Sequence, residues 1–276
     1  MLCDRRFGIG ADGFVQIIDR RNGDLEWVFL NSDGSDAEFC GNAARCVAAW
    51  ADAAGYSLPL TLHTRVGNVA LDRASATRTA PAVPASPGET WFQVTRELPA
   101  PFELTEQIDL AVELKNSQSR LKFDRLFWTD TGVPHFVALV NPQSEFLKGL
   151  DEERTTESAM RDALDRLLQD CSSWIAALRP NPAPRGSNIT LMQMAASTTR
   201  AVTFERGVEN FTLSCGTGVI AAARVALHLL DRKETGAFFV QTPGGTLAIE
   251  MANSGKTVHL RGPAHVVFQG QWKRKD

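Results

Sequence analysis

FCGNAARC, residues 39–46, places Cys40 directly before a glycine and an alanine-rich helical pattern. LSCGTGVIAAA, residues 213–223, repeats this arrangement around Cys215. A cysteine at the start of a helix lies near unpaired backbone N–H groups and the positive end of the helix dipole, which stabilise a thiolate. Two cysteines with matched surroundings therefore predict a pair of activated thiols.

The segments around each cysteine match as well. Strand-like runs and a polar loop precede both motifs, and a glycine-centred hairpin pattern follows both. Thr64 in HTRVGNVALD and Thr242 in QTPGGTLAIE are 178 residues apart, and the two cysteines are 175 residues apart. These offsets predict an internal duplication whose two lobes meet at a cleft, the usual place for a ligand.

Local sequence patterns predict the other elements of secondary structure. Residues 13–30 predict a hairpin around Asn22-Gly23, and residues 42–54 predict a helix. The spacing of apolar residues in 151–170 predicts an amphipathic helix used for packing. Residues 74–90, rich in Ala, Pro, Ser and Thr, predict an irregular surface loop.

Composition limits the possible functions. The chain has 276 residues, 43% of them apolar and 22% charged, with a net charge of -3. No basic stripe is present for nucleic acid, and no apolar run has the length of a membrane span or a signal peptide, so we expect a cytoplasmic protein. The odd number of cysteines and the scattered histidines predict neither a disulfide framework nor a metal site. Cys3, Cys46 and Cys171 are expected to be inert packing residues.

Two thiols facing one cleft suit the inversion of a carbon that carries an acidic hydrogen. One thiolate removes the proton from one face while a thiol returns a proton to the other, and reversal exchanges the roles. The two helix N-termini would hold the substrate carboxylate. A cysteine hydrolase with one thiolate and His135 is the alternative from another class, but it leaves the second cysteine motif unexplained.

Five segments resemble the diaminopimelate epimerase family: NSDGSDAEFCGNAARC, GVPHFV, FERGVENFTLSCGTG, TPGGTLAIE and LRGPAHVVFQG. The resemblance covers nearly the whole chain. It implies a cofactor-independent isomerase that interconverts LL- and meso-diaminopimelate in lysine and peptidoglycan precursor biosynthesis. It also implies a homodimer and an α/β fold of two pseudo-symmetric lobes, each a strand array around a central helix. We place the lobes at 1–125 and 126–262, with a strand in 263–276 that returns to the first lobe.

Through this resemblance, Cys40 and Cys215 match the two proton donor and acceptor cysteines of the family, and His135 matches a histidine near them. The positions that match substrate-binding residues are Asn31, Gly41, Asn42, Asn188, Glu205, Arg206, Gly216 and Thr217. Glu205 and Arg206 would serve the distal amino-acid end and the surroundings of the thiols, because a guanidinium can bind a carboxylate through two hydrogen bonds.

The sequence departs from the family at two places. A first strand with a Gly-Asn-Asp-Phe stretch is not found before DRRFGIGADG, so we expect either a misassigned start or a truncated copy. Val133 replaces an asparagine, and Thr131 is expected to supply the missing hydrogen bond. Two alternatives follow: a racemase for another amino acid such as proline or hydroxyproline, which has no need of Glu205 and Arg206, or an inactive amino-acid-binding descendant.

Overall fold

The structure is a computed structural model that describes residues 2–37, 39–74, 90–98, 103–115, 121–141, 156–182, 184, 186–194, 199–232, 237–252 and 255–272. Most of the predicted loop at 74–90 and the first part of the predicted helix at 151–170 lie outside these residues. None of the helices in the described part has the length and apolar character that crossing a bilayer requires.

Five helices occur in the described part of the chain. They are α1 (Gly41–Ala53), α2 (Ile108–Lys115), α3 (Glu157–Asp170), α4 (Ser172–Leu178) and α5 (Gly216–Leu229). Fourteen strands accompany them. They are β1 (Gly13–Asp19), β2 (Leu25–Asn31), β3 (Leu60–Thr64), β4 (Gly67–Arg73), β5 (Trp91–Glu97), β6 (Leu104–Glu106), β7 (Phe123–Asp130), β8 (Pro134–Val140), β9 (Asn188–Met194), β10 (Thr199–Glu205), β11 (Asn210–Thr212), β12 (Phe238–Thr242), β13 (Gly245–Ala252) and β14 (Thr257–Pro263).

All fourteen strands belong to one continuous sheet with the order β1-β2-β3-β4-β5-β14-β13-β12-β10-β9-β8-β7-β6, and β11 pairs with β10. The sheet contains the same unit twice. In the first unit the hairpin β1–β2 leads into α1, and β3 returns parallel to β2 before pairing with β4. In the second unit the hairpin β9–β10 leads into α5, and β12 returns parallel to β10 before pairing with β13. The predicted duplication and two-lobed α/β fold are therefore confirmed.

The repeat extends to single hydrogen bonds. Thr64 Oγ1 donates to Gly67 O over 2.7 Å, and Thr242 Oγ1 donates to Gly245 O over 2.7 Å. Both glycines have φ values, 109° and 112°, that favour a residue without a side chain. The two hairpins that the sequence match paired are thus built in the same way.

The lobes join where β5 pairs with β14 in antiparallel register, from Thr257 opposite Glu97 to Pro263 opposite Trp91. The strand that reaches the first lobe is therefore β14, whereas the prediction placed it in 263–276; residues 264–272 form neither helix nor strand. β6 and β7 pair with each other, and β7 pairs with β8. The strands between 104 and 130 are thus continuous in the sheet with β8 and β9.

Each lobe packs its sheet around one central helix. α1 contacts β4, β5 and β14, while α5 contacts β7 to β10, β12 and β13. Their alanine-rich faces explain this position, because small side chains let strands approach a helix closely: Ala44, Ala48, Ala51, Ala221, Ala222 and Ala223 are all inaccessible to solvent. α3 buries Met160, Leu164 and Leu167 in a second core against the outer strands. The predicted packing role of that helix is confirmed.

Candidate active site

The two cysteines begin the two central helices with the same geometry. Cys40 caps α1 with φ −140° and ψ 117°, and Cys215 caps α5 with φ −121° and ψ 114°. Each sulfur accepts a hydrogen bond from the backbone N–H three residues later, Ala43 N at 3.5 Å and Gly218 N at 3.4 Å. A sulfur in this position receives the partial positive charge of the helix start.

Glycines at the first helical position bring the two helix starts into contact. A Cβ atom on Gly216 would lie 3.3 Å from the Cα of Gly41 and 3.0 Å from Leu260 Cδ2. A Cβ atom on Gly41 would lie only 2.6 Å from the same Leu260 atom. A side chain at either position would have to displace Leu260, and at position 216 it would also press on the backbone of Gly41, so the two glycines allow the close approach of the lobes.

A side-chain bond ties the two motifs together. Asn42 Nδ2, on α1, donates to Ser214 O over 2.6 Å. Ser214 directly precedes Cys215, so this contact fixes the start of one helix relative to the thiol of the other. The residue at position 42 was expected to grip substrate; its side chain here also joins the lobes.

A cavity of about 700 Å³ opens between the lobes at this point. All ten residues predicted as catalytic or substrate-binding line it: Asn31, Cys40, Gly41, Asn42, Asn188, Glu205, Arg206, Cys215, Gly216 and Thr217. His135 lies behind its wall and is inaccessible to solvent. The structure thus brings together residues that are up to 186 positions apart in the chain.

His135 belongs to a buried hydrogen-bond network whose direction can be assigned. The backbone N–H of Arg206 donates to Asn188 Oδ1 over 2.8 Å, so the Asn188 amide must turn its NH₂ group toward His135 Nε2, 3.4 Å away. Nε2 is therefore an acceptor, and the proton lies on Nδ1, which donates to Thr190 Oγ1 over 3.0 Å. Thr217 Oγ1, 3.0 Å from Nε2, must then donate its own hydrogen to His135.

Thr217 also connects this network to Cys215. Its Oγ1 lies 3.4 Å from the Cys215 sulfur, a contact in which either atom can be the donor. Burial lowers the pKa of His135 to about 3, with the Arg206 charge adding to the shift, so the ring is neutral at ordinary pH. The network therefore places a neutral side chain, and no charge, behind Thr217 and Cys215.

Glu205 lies beside the same thiol. Its carboxylate accepts hydrogen bonds from Thr212 Oγ1 and from Cys215, and burial raises the pKa of Glu205. The sequence placed this residue at both the distal end of a substrate and the thiol surroundings; the structure puts its carboxylate against the sulfur. A neighbouring carboxylate disfavours a thiolate, so Glu205 favours the protonated form of Cys215.

Burial dominates the acidity of both thiols. Loss of solvent raises the pKa of Cys40 to about 11, and the Glu205 charge adds to the shift. Loss of solvent also raises the pKa of Cys215 well above its ordinary value, again with a contribution from Glu205. Ionisation of either sulfur therefore depends on nearby positive charge and on hydrogen-bond donors.

Two residues differ from the sequence-based expectation. The Thr131 hydroxyl does not supply a bond in the cavity, because it lies on the carbonyl oxygens of Val133, at 3.4 Å, and Thr217, at 3.3 Å. Cys46 was expected to be an inert packing residue, yet it is exposed and lines the cavity. It shares the cavity-facing side of α1 with Asn42, one helical turn earlier, and this i, i+4 spacing is the signal that could have identified it.

Comparison with known proteins identifies a matching family and related sequences. A family model described as diaminopimelate epimerase matches residues 1–82 and 175–267. A diaminopimelate epimerase of Methanocella arvoryzae is 30% identical over 98% of this chain and 84% of its own length. One of Methanothrix thermoacetophila is 32% identical over 98% of this chain and 83% of its own length.

Solved structures share the fold at lower identity. A Bacillus anthracis phenazine biosynthesis protein of the PhzF family has a TM-score of 0.60 at 13% identity and covers 92% of this chain and 82% of its own. A protein described as a predicted epimerase from Pseudomonas aeruginosa has a TM-score of 0.60 at 12% identity and covers 94% of this chain and 85% of its own. Together with the matched cysteine motifs, the sequence relatives show that the chain belongs to the diaminopimelate epimerase family.

Proposed function

We propose that this protein is a diaminopimelate epimerase, an isomerase that interconverts LL- and meso-diaminopimelate by proton transfer between Cys40 and Cys215. The observation that carries the proposal is the pair of cysteine-capped helices that begin at one cavity between duplicated lobes. The names of the family model and of the sequence relatives support the same reaction. Its product serves lysine and peptidoglycan precursor synthesis.

The chemistry is a balanced exchange of one proton on each face of the substrate. The thiolate of one cysteine takes the α-hydrogen as a proton, and the electrons of the broken C–H bond remain on the α-carbon. The thiol of the other cysteine then gives its proton to the opposite face, so the configuration inverts and the charge moves to the second sulfur. Reversal uses the same two groups in exchanged roles.

The helix starts are suited to hold the reacting end of the substrate. The backbone N–H groups at positions 41, 42, 216 and 217 belong to the first turns of α1 and α5, where such groups lack intrahelical partners. A carboxylate placed between them would be stabilised, as would the negative charge that develops during the reaction.

The distal end of the substrate requires a second recognition site. Arg206 lines the cavity from the turn after β10, and its guanidinium suits the distal carboxylate. Asn31 lines the cavity from the first lobe, and its Nδ2 would lie 3.7 Å from a Cβ on Gly207. We propose that the distal end binds between these two lobes.

Heavy water tests this function. Incubation of LL-diaminopimelate with the protein in D₂O should place deuterium at the α-carbon as the meso isomer appears. The variants Cys40→Ser and Cys215→Ser should each lose epimerisation by at least about 1,000-fold, because a serine hydroxyl is a far weaker acid. Cys171→Ser, which removes a buried thiol of the outer core, is the matched control and should retain activity.

Two outcomes would redirect the proposal. If Cys40→Ser and Cys215→Ser both retain epimerisation, the two-thiol mechanism is overturned. Turnover of proline or hydroxyproline in place of diaminopimelate would favour the other racemase reaction. The homodimer and the cytoplasmic location remain predictions, and light scattering of the purified protein tests the first.

A further inference from the structure

Arg45 is a buried cation close to the candidate site. It lies on α1, five residues after Cys40, and its accessible fraction is 6%. Nη2 donates to Asn42 Oδ1 over 3.0 Å, while Nε and Nη1 have no hydrogen-bond partner among the described residues. A buried guanidinium is strongly unfavourable unless a negative charge compensates it. The residue therefore calls for an anion in its surroundings.

Cys40, which caps α1, and Cys46, which lies on it, can supply this negative charge when ionised. The groups whose charge acts on the Arg45 guanidinium are Cys40 and, after it, Cys46. Packing holds the guanidinium in place, because a Cβ on Gly262 of β14 would lie 3.1 Å from Arg45 Nε. This packing and the hydrogen bond to Asn42 place the guanidinium beside the first turn of α1.

The two thiols differ in the charged groups that act on them. Glu205 acts on both sulfurs and raises the pKa of both, so it does not distinguish them. Arg45 acts on Cys40, where it lowers the pKa, and is not among the groups that act on Cys215. Besides Glu205, the charge that acts on Cys215 is that of an ionised Cys40, which raises the pKa of Cys215.

The second lobe has no cation at the matching position. Ile220 follows Cys215 by five residues, as Arg45 follows Cys40, and it is a buried apolar residue. On that side, the Cys215 sulfur faces the hydroxyl of Thr217 and donates to the carboxylate of Glu205. The duplication has therefore placed a positive charge at one thiol and a proton acceptor at the other.

We propose that Arg45 is a positioning residue whose guanidinium is the counter-charge that makes Cys40 easier to ionise than Cys215. The same side chain sets the orientation of Asn42. A guanidinium can only donate, so Asn42 Oδ1 must face Arg45 and its NH₂ group must face Ser214 O. Arg45 thereby influences both the charge on Cys40 and its placement relative to Cys215. Its role in catalysis rests on the proposed function, whereas its effect on Cys40 does not.

Alkylation measures the thiolate directly. The full-length protein is treated with iodoacetamide between pH 7 and pH 10, and mass spectrometry of the digested protein gives the rate at each cysteine. In the unmodified sequence, the alkylation of Cys40 should rise with pH at lower pH values than that of Cys215. Arg45→Met should slow the alkylation of Cys40 by at least about tenfold at fixed pH, the effect of one unit of pKa.

Further variants separate charge from packing. Arg45→Lys keeps a positive charge and should recover part of the Cys40 rate. Arg224→Met, which removes an arginine from α5 more than two turns after Cys215, should change neither profile. Circular dichroism establishes that the variants are folded.

An unchanged Cys40 profile in folded Arg45→Met, or equal slowing at both cysteines, would overturn the proposal. If Arg45→Met does not fold, the unmodified protein still decides: alkylation of Cys215 at lower pH than Cys40 would contradict it. Failure of the epimerase test with the Cys40 profile as expected would remove the proposed function alone. Epimerisation with an unresponsive Cys40 profile would remove this inference alone.

Discussion

The starts of α1 and α5 share a backbone and differ in what surrounds it. Both begin with a cysteine, a glycine and a sulfur that accepts a backbone hydrogen bond. Around Cys40 the support is a buried cation, Arg45, which reaches the sulfur through space and Asn42 through a hydrogen bond. Around Cys215 it is a neutral histidine, which reaches the sulfur through Thr217.

This difference shows how a duplicated framework can supply two unlike groups. Backbone geometry gives both sulfurs the same helix field, so the backbone alone would leave them equivalent. Side chains outside the repeated pattern break that equivalence. A two-thiol epimerase needs one base and one acid at any moment, and unequal surroundings favour the ionisation of one sulfur over the other.

The largest effect is expected from acid, because His135 is neutral and fully buried. Its folded-state pKa of about 3 lies below the ordinary 6.5, so its contribution to stability is complete above pH 6.5 and is lost as the pH falls toward 3. At about 1.4 kcal/mol per unit of pKa difference, the loss across this window is several kcal/mol. Urea unfolding at several pH values measures this effect. The free energy of unfolding should change less with pH in His135→Gln than in the unmodified protein.

His265→Gln, at an exposed histidine, provides the control and should keep the slope of the unmodified protein. Equal slopes for the unmodified protein and His135→Gln would show that the α5 start does not depend on a neutral histidine.

The glycines at the helix starts should come next. Gly41→Ala and Gly216→Ala should each lower kcat/KM by about 100-fold, because a displacement of reacting groups by one ångström has effects of that size. Leu260→Ala should restore much of the activity of Gly41→Ala, whose Cβ meets only the Leu260 side chain closely. It should help Gly216→Ala less, since that Cβ also lies 3.3 Å from the Cα of Gly41. Equal rescue of both variants would contradict the described contact.

The third position of each helix gives a sharper contrast. In α5 a Cβ on Gly218 would lie 2.1 Å from Thr203 Oγ1, which is bound to Thr190 Oγ1 at 3.0 Å. Gly218→Ala should therefore reduce the free energy of unfolding by about 2 kcal/mol through overpacking. The counterpart in α1 is already Ala43, and Ala43→Gly should cost only about 0.5–1 kcal/mol. Urea unfolding measures both, and similar values would show that the two helix starts are packed alike.

The smallest effect concerns the repeated hairpins. Thr64→Val and Thr242→Val each remove a hydrogen bond to a carbonyl oxygen in the turn. The Thr242 variant should lose about 1 kcal/mol, because this residue is buried and water cannot replace the bond readily. The Thr64 variant should lose about half as much, since its turn is open to solvent. A larger loss of stability in Thr64→Val than in Thr242→Val would contradict this prediction.

Local signals in the sequence predicted much of this architecture. The Asn22-Gly23 turn, the matched Thr64 and Thr242 hairpins and the cysteine-capped helices are each decided within a few residues, so short patterns are sufficient for them. The pairing of β5 with β14 was missed, because it depends on segments more than 150 residues apart and carries no local signature.

The candidate site shows the same limit. Family resemblance identified ten of the residues that line the cavity, but not the hydrogen bonds around His135 or the burial of Arg45. Both depend on long-range neighbours: Asn42 finds Ser214 across 172 positions, and His135 finds Thr217 across 82. An arginine in an alanine-rich helix is expected to be exposed to solvent, because its burial depends on strands that are distant in the sequence.

The distribution of deuterium early in the reaction tests the pairing of the two thiols most directly. With LL-diaminopimelate in D₂O, the meso product should carry deuterium at the inverted carbon while the remaining substrate carries none, because the base and the acid are different sulfurs on opposite faces. Meso product that retains the original α-hydrogen, or substrate that gains deuterium as fast as product, would contradict a pair formed by Cys40 and Cys215.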